Sequence, residues 1–247
     1  TFVKVCAPLC ENKTCLYFFA YDDIESIEYF GARLKTYWNR NGALITDEIV
    51  KAHSDYKTTL KRCNEFADRM FIDSVRAGGE KYAEILELAY RQAVAAHKLA
   101  IDEDGEILWV SKECFSNGCA ATVDVSYPSI PLFLLYNPEL VKGMMRPIYK
   151  FARSDGWKYD FAPHDAGRYP ILNGQVYAAY SRNRNHSEGV TPAPFYYFPK
   201  TVDAYAHKTQ MPVEECGNML LMLAAVGYAD GDWSMAEADL PILRMWS

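Results

Sequence analysis

Apolar residues recur three and four positions apart over much of the chain, and that period predicts helices. Ile24, Ile27, Phe30, Leu34 and Trp38 have this spacing, with Asp22 or Asp23 as the N-cap and Asn41-Gly42 as the stop. A second helix is predicted from about Asp47 to Val75, with Tyr56, Leu60, Cys63, Phe66, Met70 and Val75 near one face. Gly78-Gly79 ends it. A third runs from Glu80 to about Ala100, with Tyr82, Ile85, Leu86, Ala89, Ala93 and Ala96 inward. Two long helices joined by Gly-Gly read as an antiparallel hairpin. Residues 21–153 are therefore expected to hold at least two such hairpins, with Ile24, Phe66, Ile85 and Leu86 buried.

The period breaks in four places. Thr1–Val5 and Thr14–Ala20 are β-branched and aromatic around the polar turn Glu11-Asn12-Lys13, so residues 1–20 read as a hairpin or strand. Asp104-Gly105 is a turn and Ile107–Ser111 a short strand. Lys112–Ser129 is polar, contains Gly and reads as a loop. Asn137-Pro138-Glu139 then starts a helix that reaches about Arg153. From Ser154 to Gln210 the chain is rich in Pro, Gly, Asn, Tyr and Phe, and a loop that long is usually functional. Pro212 opens another helix with Val213, Cys216, Leu220, Leu223 and Ala224 inward, closed by Asp230-Gly231-Asp232 before a final segment, Trp233–Trp246. The expected fold is mostly α, an array of helical hairpins with a few short strands. Such an array stacks into a ring or arc and collects its long loops at one end.

The 247 residues suffice for one large domain, and half of them are hydrophobic. The net charge of −6 and the lack of a Lys/Arg stripe argue against nucleic acid. No apolar stretch is long enough to span a bilayer. The chain begins at Thr1, with neither Met nor a signal peptide, and reads as a fragment or processed product. Its seven cysteines form no zinc pattern, and their odd number argues against a complete disulfide framework. Bridges within Cys6–Cys15 or between Cys114 and Cys119 stay open, although buried thiols are the plainer reading. No metal or cofactor is predicted. The sequons Asn12-Lys13-Thr14 and Asn185-His186-Ser187 arise often by chance.

Three polar stretches put carboxylates beside amides, glycine and aromatics: Ser111–Gly118 continuing through Thr122–Pro128, Pro163–Pro170 followed by Asn173-Gly174-Gln175, and Met211–Met219. A carboxylate in a desolvated pocket is held as an acid, and a better solvated one serves as base. Each residue also has a plainer role. Asp124 is as readily a loop cap. Glu214 and Glu215 sit in a first helical turn, where the helix dipole favours acids. His164-Asp165 is a weak signal by itself. Several such loops at one end of one scaffold make a site more credible than any one of them.

The same stretches resemble the glutaminase A family. The resemblance rests on Tyr21-Asp22-Asp23-Ile24, Tyr29-Phe30-Gly31, Tyr37-Trp38-Asn39-Arg40, Ala89–Ala93 and Ala96-His97-Lys98. It continues through Ser111-Lys112-Glu113, Thr122–Pro128, Pro131–Met144, Pro163-His164-Asp165 and Pro212–Leu220, covering about residues 20–228. It implies a six-helical-hairpin domain over 21–247, similar in architecture to the toroids of six-hairpin glycosidases and incomplete at its C-terminal end. It also implies that residues 1–20 are a linker or remnant of a preceding β-rich domain, which the helical domain contacts. The implied activity is hydrolysis of L-glutamine to L-glutamate and ammonia, outside the cytoplasm. The Gln175–Met211 stretch is longer than the family's usual spacing.

Three functions follow. An amide hydrolase needs an acid, a base and oxyanion donors. Glu214, Glu215, Asp165 and Asp124 are the candidates for proton transfer, with His164, Asn117 and Asn218 orienting and Arg168 binding a substrate carboxylate. Cys216 is a conceivable nucleophile, made inert by burial beside two acids. A glycoside hydrolase or carbohydrate-binding domain would use the same acids with Trp157, Tyr159, Tyr169 and Tyr196 as stacking platforms. A non-catalytic scaffold would use the acids as caps. In the first two cases the partner is a small molecule, an amino-acid amide or a sugar.

Overall fold

A computed structural model describes residues 5–6, 16–113, 118–177 and 207–247. These residues are mostly helical with a few short strands, the class the periodicity predicts. They divide into two compact units, Thr1–Ile24 with Lys35–Arg91 and Glu25–Leu34 with Gln92–Ser247. The sequons, Phe195–Phe198, Cys10, Cys15, Cys114 and Asn117 lie outside the described residues.

In the first unit, strands β1 (Val5–Cys6) and β2 (Tyr17–Phe18) pair antiparallel, as the β-branched and aromatic start of the chain predicts. The long helix α1 (Ile45–Gly78) and the shorter α2 (Glu80–Ala95) follow. The chain reverses between them at Gly79, whose φ of +86° suits only glycine, and the Gly79 N–H closes α1 on the Val75 carbonyl at 2.8 Å. Gly78 has no Cβ because the Tyr82 ring occupies that space, 2.6 Å from where one would stand. Phe66 and Tyr90 meet across the pair with ring centroids 5.3 Å apart. Phe66 and Leu86 are half-buried, but Ile85 is 64% exposed. Apolar residues mark two adjacent stripes on α2, and packing uses Ala83, Leu86 and Tyr90 rather than Tyr82, Ile85 and Ala89.

In the second unit the predicted helix over 24–38 does not form. Strands β3 (Ile27–Tyr29) and β4 (Ala32–Leu34) pair antiparallel there. Their turn places Phe30 and Gly31 at φ of +49° and +88°, the double positive φ of a tight hairpin. Ile27, Tyr29 and Leu34 point inward with period two, while Ile24 is 72% exposed. Asp22 caps a local turn, not a helix, accepting the Ile24 N–H at 2.9 Å. The predicted third helix also ends early, at Ala95. His97–Ile101 forms β5, which pairs residue by residue with β6 (Ile107–Ser111) around the Asp102–Gly105 turn.

Val123 opens helix α3 (Val123–Tyr136) inside the stretch predicted as loop, and α4 (Pro138–Ala152) starts where Pro138 predicts. Helix α5 (Pro212–Asp230) starts at Pro212 and ends at Gly231, with α6 (Ser234–Ala238) and α7 (Leu240–Trp246) after it. Short strands β7 (Cys119–Ala120), β8 (Gly167–Arg168) and β9 (Ile171–Leu172) complete a five-stranded sheet of order β4-β3-β9-β8-β7. Helices α3, α4 and α5 pack on one another, and α4 also packs on β6. The core includes Leu108, Val110, Met144, Met145, Ile148, Phe151, Met219, Met222 and Val226. Gly143 lets α4 reach the β6 backbone, since a Cβ there would lie 2.9 Å from the Trp109 nitrogen. Val213, predicted inward, is 87% exposed; it precedes the stretch of α5 that meets α3 and α4.

Cys119 and Cys216 are buried and Cys63 is exposed, and a Cys114–Cys119 pairing falls outside the described residues. Among the described residues no helix is long and apolar enough to cross a membrane.

One ion cluster ties α4 to the end of α5. The Lys142 ammonium lies 2.7 Å from Asp230 and 2.6 Å from Asp232, with its own side chain 7% exposed. At Asp230 burial is the largest single influence and pushes the carboxyl up, but the Lys142 bond and charge with the Asp232 N–H bring it below the usual carboxylate range. At Asp232 the Lys142 bond leads and lowers it, and Asp230 and Asp232 in turn raise Lys142 against its own desolvation. A carboxyl held low in the folded state adds stability above its unfolded pKa of about 3.9, and the gain is lost as pH falls through the folded value. Lys142→Met should therefore flatten the acid limb of thermal stability below about pH 4. Melting curves of the two proteins between neutral and acid pH test this; parallel acid limbs would show that the cluster adds nothing.

Candidate functional site

Short strand pairings in the second unit bring the polar stretches together. Cys119 and Ala120 pair with Arg168 and Gly167, and the Ala166 N–H donates to the Ala120 carbonyl at 3.0 Å. The Val123 N–H donates to the His164 carbonyl at 2.8 Å, which fixes the first turn of α3 against the Pro163–Pro170 stretch. Gly167 keeps this crossing tight, since a Cβ there would fall 2.3 Å from the Ile171 carbonyl oxygen. Helix α5 packs on α3, and the first turns of both helices meet at His164.

Asp165 is fully buried and its oxygens are taken up by fixed donors. Oδ1 accepts the backbone N–H groups of Gly167 at 3.0 Å and Val176 at 2.9 Å. Oδ2 accepts the Tyr177 N–H at 3.1 Å and faces His164 Nδ1 at 3.0 Å. A carboxylate held this way orients its neighbours. His164, 3% exposed, stacks on the Tyr177 ring at 4.2 Å, and its backbone N–H donates to Gln175 Oε1 at 2.7 Å. With Nδ1 committed to Asp165, Nε2 is left to face Asp124 Oδ1 at 3.6 Å. Burial alone would lower the imidazole pKa, but the Asp165 bond and the charges of Asp165, Glu215 and Asp124 outweigh it and raise it.

Glu215 completes the cluster. It is 1% exposed, and neither side-chain oxygen has a hydrogen-bond partner among the described residues. One atom each of Asp124, His164 and Glu215 lies within 4.8 Å of the other two. Burial, followed by the charges of Asp124, Glu214 and Asp165 and only partly offset by His164, pushes Glu215 up to about 8. Asp124, with a side chain 32% exposed, gives the cluster its contact with solvent. The result is an imidazole held by a buried carboxylate, one carboxyl kept as an acid and one partly solvated carboxylate, a set suited to moving protons.

The sequence-predicted residues separate clearly. Asp124, His164, Asp165 and Glu215 converge. Glu214 points to solvent from the first turn of α5, the place the helix dipole favours. Asn218 is half-buried one turn after Glu215. Arg168 is half-buried on β8 with its guanidinium beside Gly118, and Tyr169 is half-buried with Lys112 Nζ 5.4 Å from its ring centre. Trp157 is no platform. It is 5% exposed, its ring packs among Phe151, Tyr159 and Phe161, and its N–H donates to the Phe161 carbonyl at 2.7 Å. The Cys216 thiol is pushed up by burial and receives the Ala162 N–H at 3.3 Å, so it is inert.

Four further residues belong to the site. Gln175 holds the His164 backbone and donates from Nε2 to the Tyr177 carbonyl and to Gln210 Oε1. Tyr177 supplies the ring under His164. Glu113, raised by burial, accepts the Thr122 hydroxyl at 3.3 Å. Cys119, raised by burial and by Asp165, lies against the His164–Asp165 pair. Glu113 and Gln175 stand in the polar stretches; a buried Cys and a ring-stacking Tyr leave no polar signal. Two broad clefts, of about 1040 Å³ along α1 and α2 and about 860 Å³ beside Lys142 and Arg146, do not include the cluster.

Residues 79–247 match the model of the glutaminase A six helical-hairpin domain. The chain is 31% identical to "Glutaminase A" of Aspergillus oryzae over 211 residues, 85% of the chain and 26% of that protein. It is 29% identical to "Probable glutaminase/05536" of Arthroderma benhamiae over 160 residues, 64% of the chain and 15% of that protein. The chain thus spans about a quarter or less of the length of these curated relatives.

Proposed function

The chain belongs to the glutaminase A six helical-hairpin domain family, and on that premise we propose that the His164–Asp165–Asp124–Glu215 cluster hydrolyses the side-chain amide of L-glutamine to L-glutamate and ammonia. One observation carries the reading: a buried Glu215 carboxyl whose oxygens have no hydrogen-bond partner among the described residues, beside an imidazole that a second carboxylate orients. Burying a polar group without a partner costs on the order of 1–3 kcal/mol, and such a cost is kept where the group has work to do.

The roles follow from the surroundings. Water adds to the amide carbonyl, and Asp124, the partly solvated carboxylate, takes its proton. The His164 imidazolium donates from Nε2 to the carbonyl oxygen as it gains negative charge. Glu215 holds a proton and gives it to the departing amine, so that ammonia leaves rather than amide anion. Asp165 fixes the imidazole. Arg168 offers a planar fork for the substrate's α-carboxylate. The glycosidase alternative has less support. One oxygen of Asp124 and one of Glu215 lie within 4.8 Å of each other, closer than the about 6.5–9.5 Å of inverting enzymes, which leaves only the retaining geometry of about 5–5.5 Å to that reading. Trp157, one of its four expected stacking rings, is core.

The test offers the complete protein glutamine and a panel of glycosides side by side, with ammonia and reducing sugar both measured. Ammonia release from glutamine is expected. Sugar release without ammonia would replace this reading with the glycosidase one, and inactivity of the well-folded protein on both would leave a binding or structural role.

A further inference from the structure

We propose that the same cluster is a binding site for one divalent transition-metal ion of the Zn²⁺ type, held by Asp124, His164 Nε2 and Glu215. The inference concerns binding and does not rest on the hydrolytic reading.

Donor chemistry carries it first. Asp124, Glu215 and His164 supply two carboxylates and one imidazole from three separate segments, with one donor atom of each within 4.8 Å of the others. For bonds of about 2.0–2.1 Å in a tetrahedral site, donor atoms stand roughly 3.3 Å apart. His164 Nε2 and Asp124 Oδ1 are already at 3.6 Å, so a small side-chain rotation brings them to that spacing. Three protein ligands also leave a fourth position for water.

The unpartnered Glu215 carboxyl is the second, independent observation. It is 1% exposed, it is aimed at Asp124 and His164, and no described residue donates to either oxygen. An ion would satisfy it. The third concerns the outer partners. A metal-bound histidine commonly donates its other ring N–H to a carboxylate, which fixes the tautomer with the free lone pair toward the metal. Asp165 does this to His164 Nδ1 at 3.0 Å and is itself held by three backbone N–H groups. The imidazole distinguishes this set from an all-oxygen site for Ca²⁺ or Mg²⁺.

An ion and a proton on Glu215 exclude each other, so the acid role proposed above belongs to the ion-free protein. The tests are separable for that reason. The full chain, stripped of metal by a chelator, is titrated with Zn²⁺ in a calorimeter at neutral pH, with Ca²⁺ as the comparison. One Zn²⁺ per chain with a dissociation constant in the micromolar range or tighter is expected, and no comparable Ca²⁺ binding. Asp124→Asn and Glu215→Gln should each weaken Zn²⁺ at least tenfold, and Asp165→Asn by about 10–100-fold through His164. Circular dichroism checks that each variant is folded. Asp124 is partly exposed, so its variant keeps the test decisive if Glu215→Gln fails to fold. No Zn²⁺ binding below millimolar concentration, or binding unchanged in Asp124→Asn, overturns the proposal. Zn²⁺ binding with glutamine turnover abolished in the loaded form upholds both the site and the acid role of Glu215. Binding with turnover that requires the ion upholds the site and overturns that acid role.

Discussion

Glu215→Gln should lower glutamine turnover by about 10²–10⁴-fold, the range that a positioned general acid contributes, while the protein melts within a few degrees of wild type. The two expectations share one cause. Glu215 is fully buried, no described residue donates to either oxygen, and burial with the nearby acids disfavours a negative charge there. In its neutral form it has nearly the shape and polarity of glutamine, so the substitution costs little in packing. What is lost is the transferable proton. The neighbouring Glu214→Gln is the control, because Glu214 is solvent-exposed in the same helical turn. It should retain near-normal turnover and lose at most about 1 kcal/mol from the helix dipole. The measurement is ammonia release from glutamine at saturating and limiting concentrations, with thermal melts of all three proteins. A loss in kcat assigns the effect to the chemical step, and a loss confined to KM would assign Glu215 to uniform binding. Equal activity in both variants would remove the first turn of α5 from the mechanism.

The contrast between these two adjacent acids marks how far the sequence can be read. Pro212 with two following acids announces a helix start, and α5 begins there. Which acid faces inward depends on the rotation of α5 against α3 and α4, and that rotation is set by Cys216, Met219, Met222, Leu223 and Val226 together. The same ambiguity let Ile85 be read inward with Leu86 on α2, where only Leu86 turns in. At residues 24–38 the error was of period. Ile27, Phe30 and Leu34 fit helical spacing, yet Ile27 and Tyr29 with Ala32 and Leu34 fit strand alternation, and the Phe30-Gly31 turn decided for the hairpin. Composition caused the opposite error in α3. Its first turns fall in the polar, Gly-containing Lys112–Ser129 stretch that reads as loop, and Pro128 and Pro131 inside the helix also withdraw N–H groups from its ladder. Packing of its apolar residues, Val123, Ile130 and Phe133 among them, against the core outweighs that loss. The convergence of Asp124, His164, Asp165 and Glu215 was legible because each stands in a polar stretch beside a helix start or turn. The distances that separate an orienting carboxylate from a proton donor were not, since they depend on β7–β8 pairing between two-residue strands with almost no pattern of their own.

Asp165→Asn should behave in the opposite way to Glu215→Gln, with a large loss of stability. The carboxylate meets donors on both oxygens: Gly167 and Val176 N–H on Oδ1, Tyr177 N–H and His164 Nδ1 on Oδ2. Asparagine has one acceptor and one donor group. Whichever way its amide turns, an NH₂ faces two donors, and two buried groups lose their partner. At about 1–3 kcal/mol for each unmet group the expected loss is about 2–6 kcal/mol, a large part of the stability of a domain. The loss is read as a fall in the urea midpoint with the slope unchanged. With the NH₂ at the Oδ2 position, His164 recovers one of those losses by giving up its Nδ1 proton and accepting there, which leaves the ring proton on Nε2. Imidazole ¹⁵N shifts would report that exchange directly. Asp124→Asn is the comparison: its carboxylate is a third exposed and its ion-pair partner, His164 Nε2, stands at 3.6 Å, so its stability should stay within about 1 kcal/mol of wild type. If Asp165→Asn unfolds at the wild-type midpoint with the histidine tautomer unchanged, the carboxylate is not what holds His164 in place. The orientation of the imidazole would then have to come from Gln175 on its backbone and Tyr177 beneath its ring.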